Sequence, residues 1–140
     1  MKKLVIANWG CGGQGKSSSL KYVFARLSKY PHRILINNGD VKAIVEIKEV
    51  KVGIESQGDP DSRMFTSLDD FVKEGCDIIV CACRCWGSTT NKVDSLKQLG
   101  YEIIWTQNDR TDNPSLHAHL NELYAEWVEQ IITNHIAGIL

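Results

Sequence analysis

The sequence predicts a three-layer α/β fold: a mostly parallel sheet of five or six strands, helices on both faces, and one antiparallel hairpin at the edge. Three observations carry this. Short apolar runs alternate with amphipathic helical stretches along the 140 residues, the pattern of strand–helix units that stack helices on a sheet. Asp77 to Cys83 is a continuous apolar run, as a central parallel strand covered on both faces requires. Asn37-Asn38-Gly39-Asp40 is a strong turn signal between two strand-like runs, and antiparallel pairing across it follows.

Taken in order, Lys3 to Trp9 reads as a short buried strand bounded by glycines. From Lys16 to about Tyr30, Leu20, Val23, Phe24 and Leu27 recur at helical spacing, and Pro31 stops the run. Arg33 to Ile36 is a short strand, and Val41 to Ile47 alternates as its hairpin partner. Val50 to Ile54 is a further strand, either separate or continuous with the last, ending in a polar loop over residues 55–60. Leu68 to Glu74 is a brief helix. Asn91 to Leu99 is a helix closed by Gly100, a C′ residue, and Tyr101 to Trp105 is the last strand. In the final helix Asn113 caps, Pro114 suits the first turn, and Leu116, Leu120, Leu123, Trp127, Ile131 and Ile132 form an apolar stripe to cover the sheet.

The length favours one domain over residues 1–140. A net charge of −1 and scattered basic residues offer no footprint for nucleic acid. No segment approaches the ~20 apolar residues of a membrane helix, and the apolar run behind Met1-Lys2-Lys3 is too short for a signal peptide. Five cysteines, an odd number, fit the reducing cytoplasm.

The strongest chemical signal is Gly10-Cys11-Gly12-Gly13-Gln14-Gly15-Lys16-Ser17. It fits G-x-x-x-x-G-K-[ST], with an apolar strand before it and an amphipathic helix after it. Glycines let successive backbone N–H groups turn around an anion without a Cβ in the way, and the helix adds its positive dipole end. The phosphate-binding set is therefore Gly10, Gly12, Gly13, Gln14, Gly15, Lys16, Ser17 and Ser18. Lys16 is expected at the β- and γ-phosphates and the Ser17 hydroxyl on Mg²⁺.

On this motif the chain resembles the P-loop NTPase superfamily, which implies a P-loop-type sandwich and ATP or GTP as the ligand. Residues 3–17 are similar to the opening of Ras-like small GTPases. They also resemble the ParA/MinD-type loop, except that Cys11 stands where that branch carries a lysine. In GTPase terms Glu55-Ser56-Gln57-Gly58 resembles the D-x-x-G element with Glu for Asp. Thr106-Gln107-Asn108-Asp109 stands at the place of N-K-x-D, keeping only the terminal Asp.

A triphosphatase needs a second acidic group at the end of the neighbouring strand. Glu55, acting on Mg²⁺ through a water, and Asp59, orienting the attacking group, are the candidates; a solvated polar loop is the plainer alternative. For phosphoryl transfer, cations must neutralise the moving group. Among five arginines, Arg84 and Arg63 are best placed. The expected catalytic set is thus Lys16, Glu55, Asp59 and Arg84, with Ser17 and Glu55 at the metal.

Cys81, Cys83 and Cys85 alternate along one strand face at roughly 7 Å, too far for disulfides between them. Packing beneath a helix is the reading adopted, for want of a zinc-type pair spacing. Cys11, at a helix N-terminus, is placed for thiolate character. His117 and His119 read as surface residues and Trp9 and Trp105 as packing. Trp86, beside Gly87, is a candidate to stack on a ligand. The expected function is Mg²⁺-dependent binding of ATP or GTP, with hydrolysis or phosphoryl transfer to a small-molecule acceptor. The alternative is a nucleotide-dependent switch that hydrolyses slowly and changes protein partners through residues 56–65.

Overall fold

The computed structural model describes residues 1–10, 16–108 and 111–138, excluding the side chain of Lys16. Among these, six strands form one sheet in the order β2-β3-β4-β5-β1-β6. The strands are β1 (Lys3–Trp9), β2 (His32–Asn37), β3 (Val41–Ile47), β4 (Val50–Glu55), β5 (Ile78–Cys83) and β6 (Tyr101–Thr106). The β2–β3 and β3–β4 pairs are antiparallel, and β4–β5, β5–β1 and β1–β6 are parallel. The expected edge hairpin is therefore a three-strand meander whose middle strand alone runs backwards.

Among the described residues four α-helices cover the sheet: α1 (Lys16–Leu27), α2 (Met64–Lys73), α3 (Ser88–Ser95) and α4 (His117–Ile136). The α/β prediction holds in its layers. One face buries Leu4, Ile6, Val45, Ile54 and Val80 under Leu20, Val23 and Leu27 of α1 and Ala125, Val128 and Ile132 of α4. The opposite face buries Val5, Ile44, Ile79, Cys81 and Cys83 under Met64, Leu68 and Phe71 of α2 and Val93 of α3. The β5 run is buried at every position, as a strand covered on both sides must be.

Local differences from the sequence reading have physical causes. The chain reverses between β3 and β4 through Lys48 and Glu49, both at positive φ (49° and 68°). That is the two-residue turn a twisted hairpin favours, built here without Gly or Asn. Helix α2 begins one turn earlier than expected, where the Ser62 hydroxyl accepts the Met64 N–H at 3.2 Å. The expected helix over 91–99 starts at Ser88 and tightens into a 3₁₀ turn, Leu96–Leu99, before Gly100 at φ 93°. Asn113 caps the 3₁₀ turn Pro114–Leu116 that leads into α4, accepting the Ser115 N–H.

The stripe expected to seat α4 is only partly its core face. Ala125, Val128 and Ile132 are buried, whereas Leu116, Leu123 and Trp127 are exposed at 44%, 46% and 41%. Helix α4 packs on α1 and meets the core through Ala125, Val128 and Ile132, with Tyr124, Ile131 and Ile136 at its margin. Among the described residues no helix is long and apolar enough to cross a membrane.

Candidate functional site

The carboxyl ends of β1, β4 and β5 gather the predicted chemistry, the edge where open α/β sheets bind ligands. Strand β1 ends at Trp9, and the Gly10 N–H donates to the Cys83 carbonyl at 3.2 Å. Lys16 is the first residue of α1. Cys11, Gly12, Gly13, Gln14 and Gly15 lie outside the described residues, as do the Lys16 side chain and Asp109.

Ser17 is described, and its hydroxyl donates to Oδ1 of Asp40, the last residue of the β2–β3 turn. The Ser56 hydroxyl donates to the same oxygen at 2.8 Å while accepting the Val41 N–H at 2.9 Å. Burial alone would raise the Asp40 carboxyl. The Ser17 and Ser56 hydroxyls, with the charges of Lys21 and Arg63, outweigh it and hold Asp40 below its ordinary value. Asp40 is the carboxylate the sequence reading missed. It reads there as a turn residue, and only the return of β2 and β3 alongside α1 brings it to Ser17.

Glu55 sits differently. Strand alternation turns Ile54 and Ser56 toward α1 and turns Gly53 and Glu55 toward α2. There Glu55 Oε1 accepts Arg63 Nε at 2.8 Å and the Ser67 hydroxyl at 2.6 Å. Its Oε2 accepts Arg63 Nη2 at 3.2 Å and the Gln57 N–H at 3.1 Å. All the lone pairs of a fully buried carboxylate are engaged. Strand β5 also lies between β4 and β1, so Glu55 is not at the end of the strand neighbouring the glycine segment. The structure does not bring it to Ser17.

Arg63 joins the two clusters. Besides Glu55, it donates to Asn38 Oδ1 at 2.9 Å and to the Asp40 carbonyl at 3.0 Å. The buried ion pair thus pins the turn that carries Asp40. Gly58 lets the same loop close over β5, since a Cβ there would lie 2.6 Å from the Ala82 backbone.

Asp59 and Arg84 are brought to each other, Arg84 Nη2 lying 3.0 Å from Asp59 Oδ1 across the loops after β4 and β5. Ser18 is exposed on α1. Trp86, just beyond Arg84, is 79% exposed. Cys81 and Cys83 pack in the core as expected, and burial raises the Cys81 thiol well above its usual value. Trp9 and Trp105 pack against that core, and His117 and His119 are exposed. At the end of β1, Asn8 is fully buried and its Oδ1 has no partner among the described residues. Such an orphan acceptor costs roughly 1–3 kcal/mol.

Among the described residues no group of three or more His, Cys, Asp or Glu converges on a metal position. Mg²⁺ does not need one, since it keeps waters and takes one or two protein oxygens beside substrate phosphates. The hard oxygens of Ser17 and Asp40, already meeting at the start of α1, fit that requirement. No protein-family model, curated protein or solved structure matches the chain.

Proposed function

We propose that this chain is a P-loop nucleotide-binding domain that takes Mg²⁺ with ATP or GTP. The observation that carries the reading is the Ser17–Asp40 contact. A hydroxyl at the start of the helix behind a G-x-x-x-x-G-K-S segment meets a carboxylate from another part of the chain. Both are oxygen donors suited to Mg²⁺, and the motif supplies what phosphates need: inward N–H groups, a helix N-terminus and a lysine.

In this reading the backbone of residues 12–17 cradles the phosphates, and Lys16 stabilises charge on the β- and γ-phosphates. Ser17 and Asp40 hold the metal, which when bound neutralises charge on the phosphate oxygens. Ser56 and Arg63 fix Asp40 in position, and Glu55 serves the site by holding Arg63. Hydrolysis or transfer to a small-molecule acceptor then falls to the Asp59–Arg84 pair, which must separate before Arg84 neutralises a moving phosphoryl group.

That last requirement favours a second reading, a nucleotide-dependent switch with slow intrinsic turnover. Glu55 has no lone pair to spare, and Asp59 is tied to Arg84. Partner exchange would then act through residues 56–65, which carry the Arg63 link to the Asp40 turn. Lys16→Ala tests the core proposal. Loss of ATP and GTP binding by calorimetry is expected, and unchanged affinity sinks it. Measured turnover separates the readings: rapid phosphate release by the chain alone marks a hydrolase, label transfer to a metabolite marks a kinase, and tight binding with negligible turnover marks the switch.

A further inference from the structure

Helix α4 carries two apolar faces, and the core takes one of them. Ala125, Val128 and Ile132 are buried in the core that α4 shares with α1. With 3.6 residues per turn, the bulky side chains of Leu116, at the N-cap, and of Leu120, Leu123 and Trp127 fall on the other side of the helix. Leu116, Leu123 and Trp127 are exposed, and Leu120 is half-buried. Single exposed leucines are ordinary on a protein surface, but these four residues form one line. Their steps of four, three and four residues follow the 3.5-residue repeat by which two helices pack side by side, a seam narrower than the stripe that seats a helix on a core.

The flank of this seam identifies what covers it. One side carries His119 and Glu126, both exposed. Glu126 lies 3.7 Å from Arg26 Nη1 of its own chain and keeps 54% of its side chain exposed, so it has room to accept a second donor. Let a second α4 run antiparallel to the first, with a two-fold axis between Leu120 and Leu123. Leu120 then meets Leu123 of the second copy and Leu116 meets Trp127, each contact made twice, as a self-complementary interface requires. The same axis sets His119 against Glu126 of the second copy, twice along one side of the seam. An imidazole donates to a carboxylate whether it is neutral or charged. Two parallel helices would instead set His119 beside Tyr124 and Glu126 beside Ile131, leaving polar groups against apolar ones. The pattern therefore fits this chain's own helix, in one direction.

We infer that the protein forms a two-fold dimer in which the α4 helices of two copies pack antiparallel through Leu116, Leu120, Leu123 and Trp127, with His119 of each facing Glu126 of the other. The apolar seam supplies the affinity, and the His119–Glu126 pairs fix direction and register. Helix α4 has 20 residues and is about 30 Å long, so the interface is at the small end of the range and the dimer exchanges with the monomer. The inference stands apart from the nucleotide reading, because none of these residues belongs to the phosphate site.

Sedimentation equilibrium of the full chain tests this. The parent should dimerise with a Kd of about 1–10 μM, the weak end for protein interfaces. Leu123→Glu and Trp127→Ala should each weaken the dimer about tenfold or more. His119→Glu and Glu126→Lys should each weaken it about tenfold by opposing like charges. The double variant His119→Glu/Glu126→Lys opposes unlike charges again and should return to the parent's affinity, and a mixture of the two single variants should form the mixed dimer in preference to either alone. Below the dimerisation range every variant should unfold at the parent's urea midpoint, since each changed side chain is exposed; this separates lost docking from lost folding. A parent that stays monomeric at about 100 μM, well above the expected Kd, overturns the inference, as does a dimer indifferent to Leu123→Glu and Trp127→Ala. A double variant no tighter than its singles overturns the antiparallel register. Phosphatidylcholine vesicles that capture the monomeric parent but not Trp127→Ala would give this face to a lipid surface and overturn the dimer as well.

Discussion

Ser17, in the first turn of α1, donates its hydroxyl proton to Asp40 at the end of the β2–β3 turn. The two residues are separated by a helix and a strand in the chain, yet they share one oxygen-lined corner of the site. Asp40 is not held by Ser17 alone. Ser56 fixes the same carboxylate oxygen, and Arg63 grips the Asp40 carbonyl. A carboxylate restrained from several sides is pre-organised to receive a cation.

The consequence concerns the metal-dependent part of binding. Asp40→Ala and Ser17→Ala should each cut Mg·nucleotide affinity about tenfold, near the 1.4 kcal/mol of one charge-assisted contact. Affinity measured in EDTA should change far less. Because the two oxygens serve one ion, the double variant should lose less than the sum of the singles. Calorimetry with and without Mg²⁺ checks this, and equal losses in both buffers would remove Asp40 from the metal.

Glu55 and Asp59, two acids of the same loop region, should behave oppositely in a stability measurement. Removing one partner of a buried ion pair strands the other charge, at about 3–5 kcal/mol. Glu55→Ala should therefore move the urea midpoint strongly, with Arg63 left unpaired beneath the Asp40 turn. Asp59→Ala breaks an exposed pair whose acid is 71% accessible, and such pairs are worth about 0–1 kcal/mol. A Glu55 variant as stable as the parent would contradict the structural role given to it here.

Much of this was legible in the chain. Apolar runs located the strands, and the apolar length of β5 correctly implied cover on both faces. Gly100 ends its helix at positive φ as expected. The reversal at Lys48-Glu49 was hidden because neither residue belongs to the usual turn set. Glu55 turns to Arg63 and Ser67 on the α2 side. Its position at a strand end is readable, but the face it points to depends on which helices lie on which side, and that is settled by non-local packing. Asp40 was readable as a turn residue only, since its partner lies in α1. The α4 stripe revealed that the helix has an apolar face, while Ala125 and Val128, which seat it, are too few to stand out from the larger Leu123 and Trp127 that remain outside.

The clamp between α1 and α4 gives a pH dependence with a definite sign. Glu129 of α4 accepts Arg26 Nε and Lys29 Nζ at 2.6 Å each, and the Tyr30 hydroxyl at 3.1 Å. Burial pushes its carboxyl upward, but the bonds from Lys29, Arg26 and Tyr30 outweigh that and hold it below its ordinary value of 4.5. The unfolded chain therefore takes up this proton first. The stabilisation is complete above pH 4.5 and is lost as the pH falls through the lower value of the folded state. Asp40 adds a loss of the same sign. Urea midpoints measured from pH 7 to about 3, spanning the ordinary carboxylate range, should fall steeply at the acid end for the parent chain. In Glu129→Gln the stability should be lower at neutral pH and the acid slope shallower. Parallel curves for the two chains would show that the clamp does not hold its charge in the folded state.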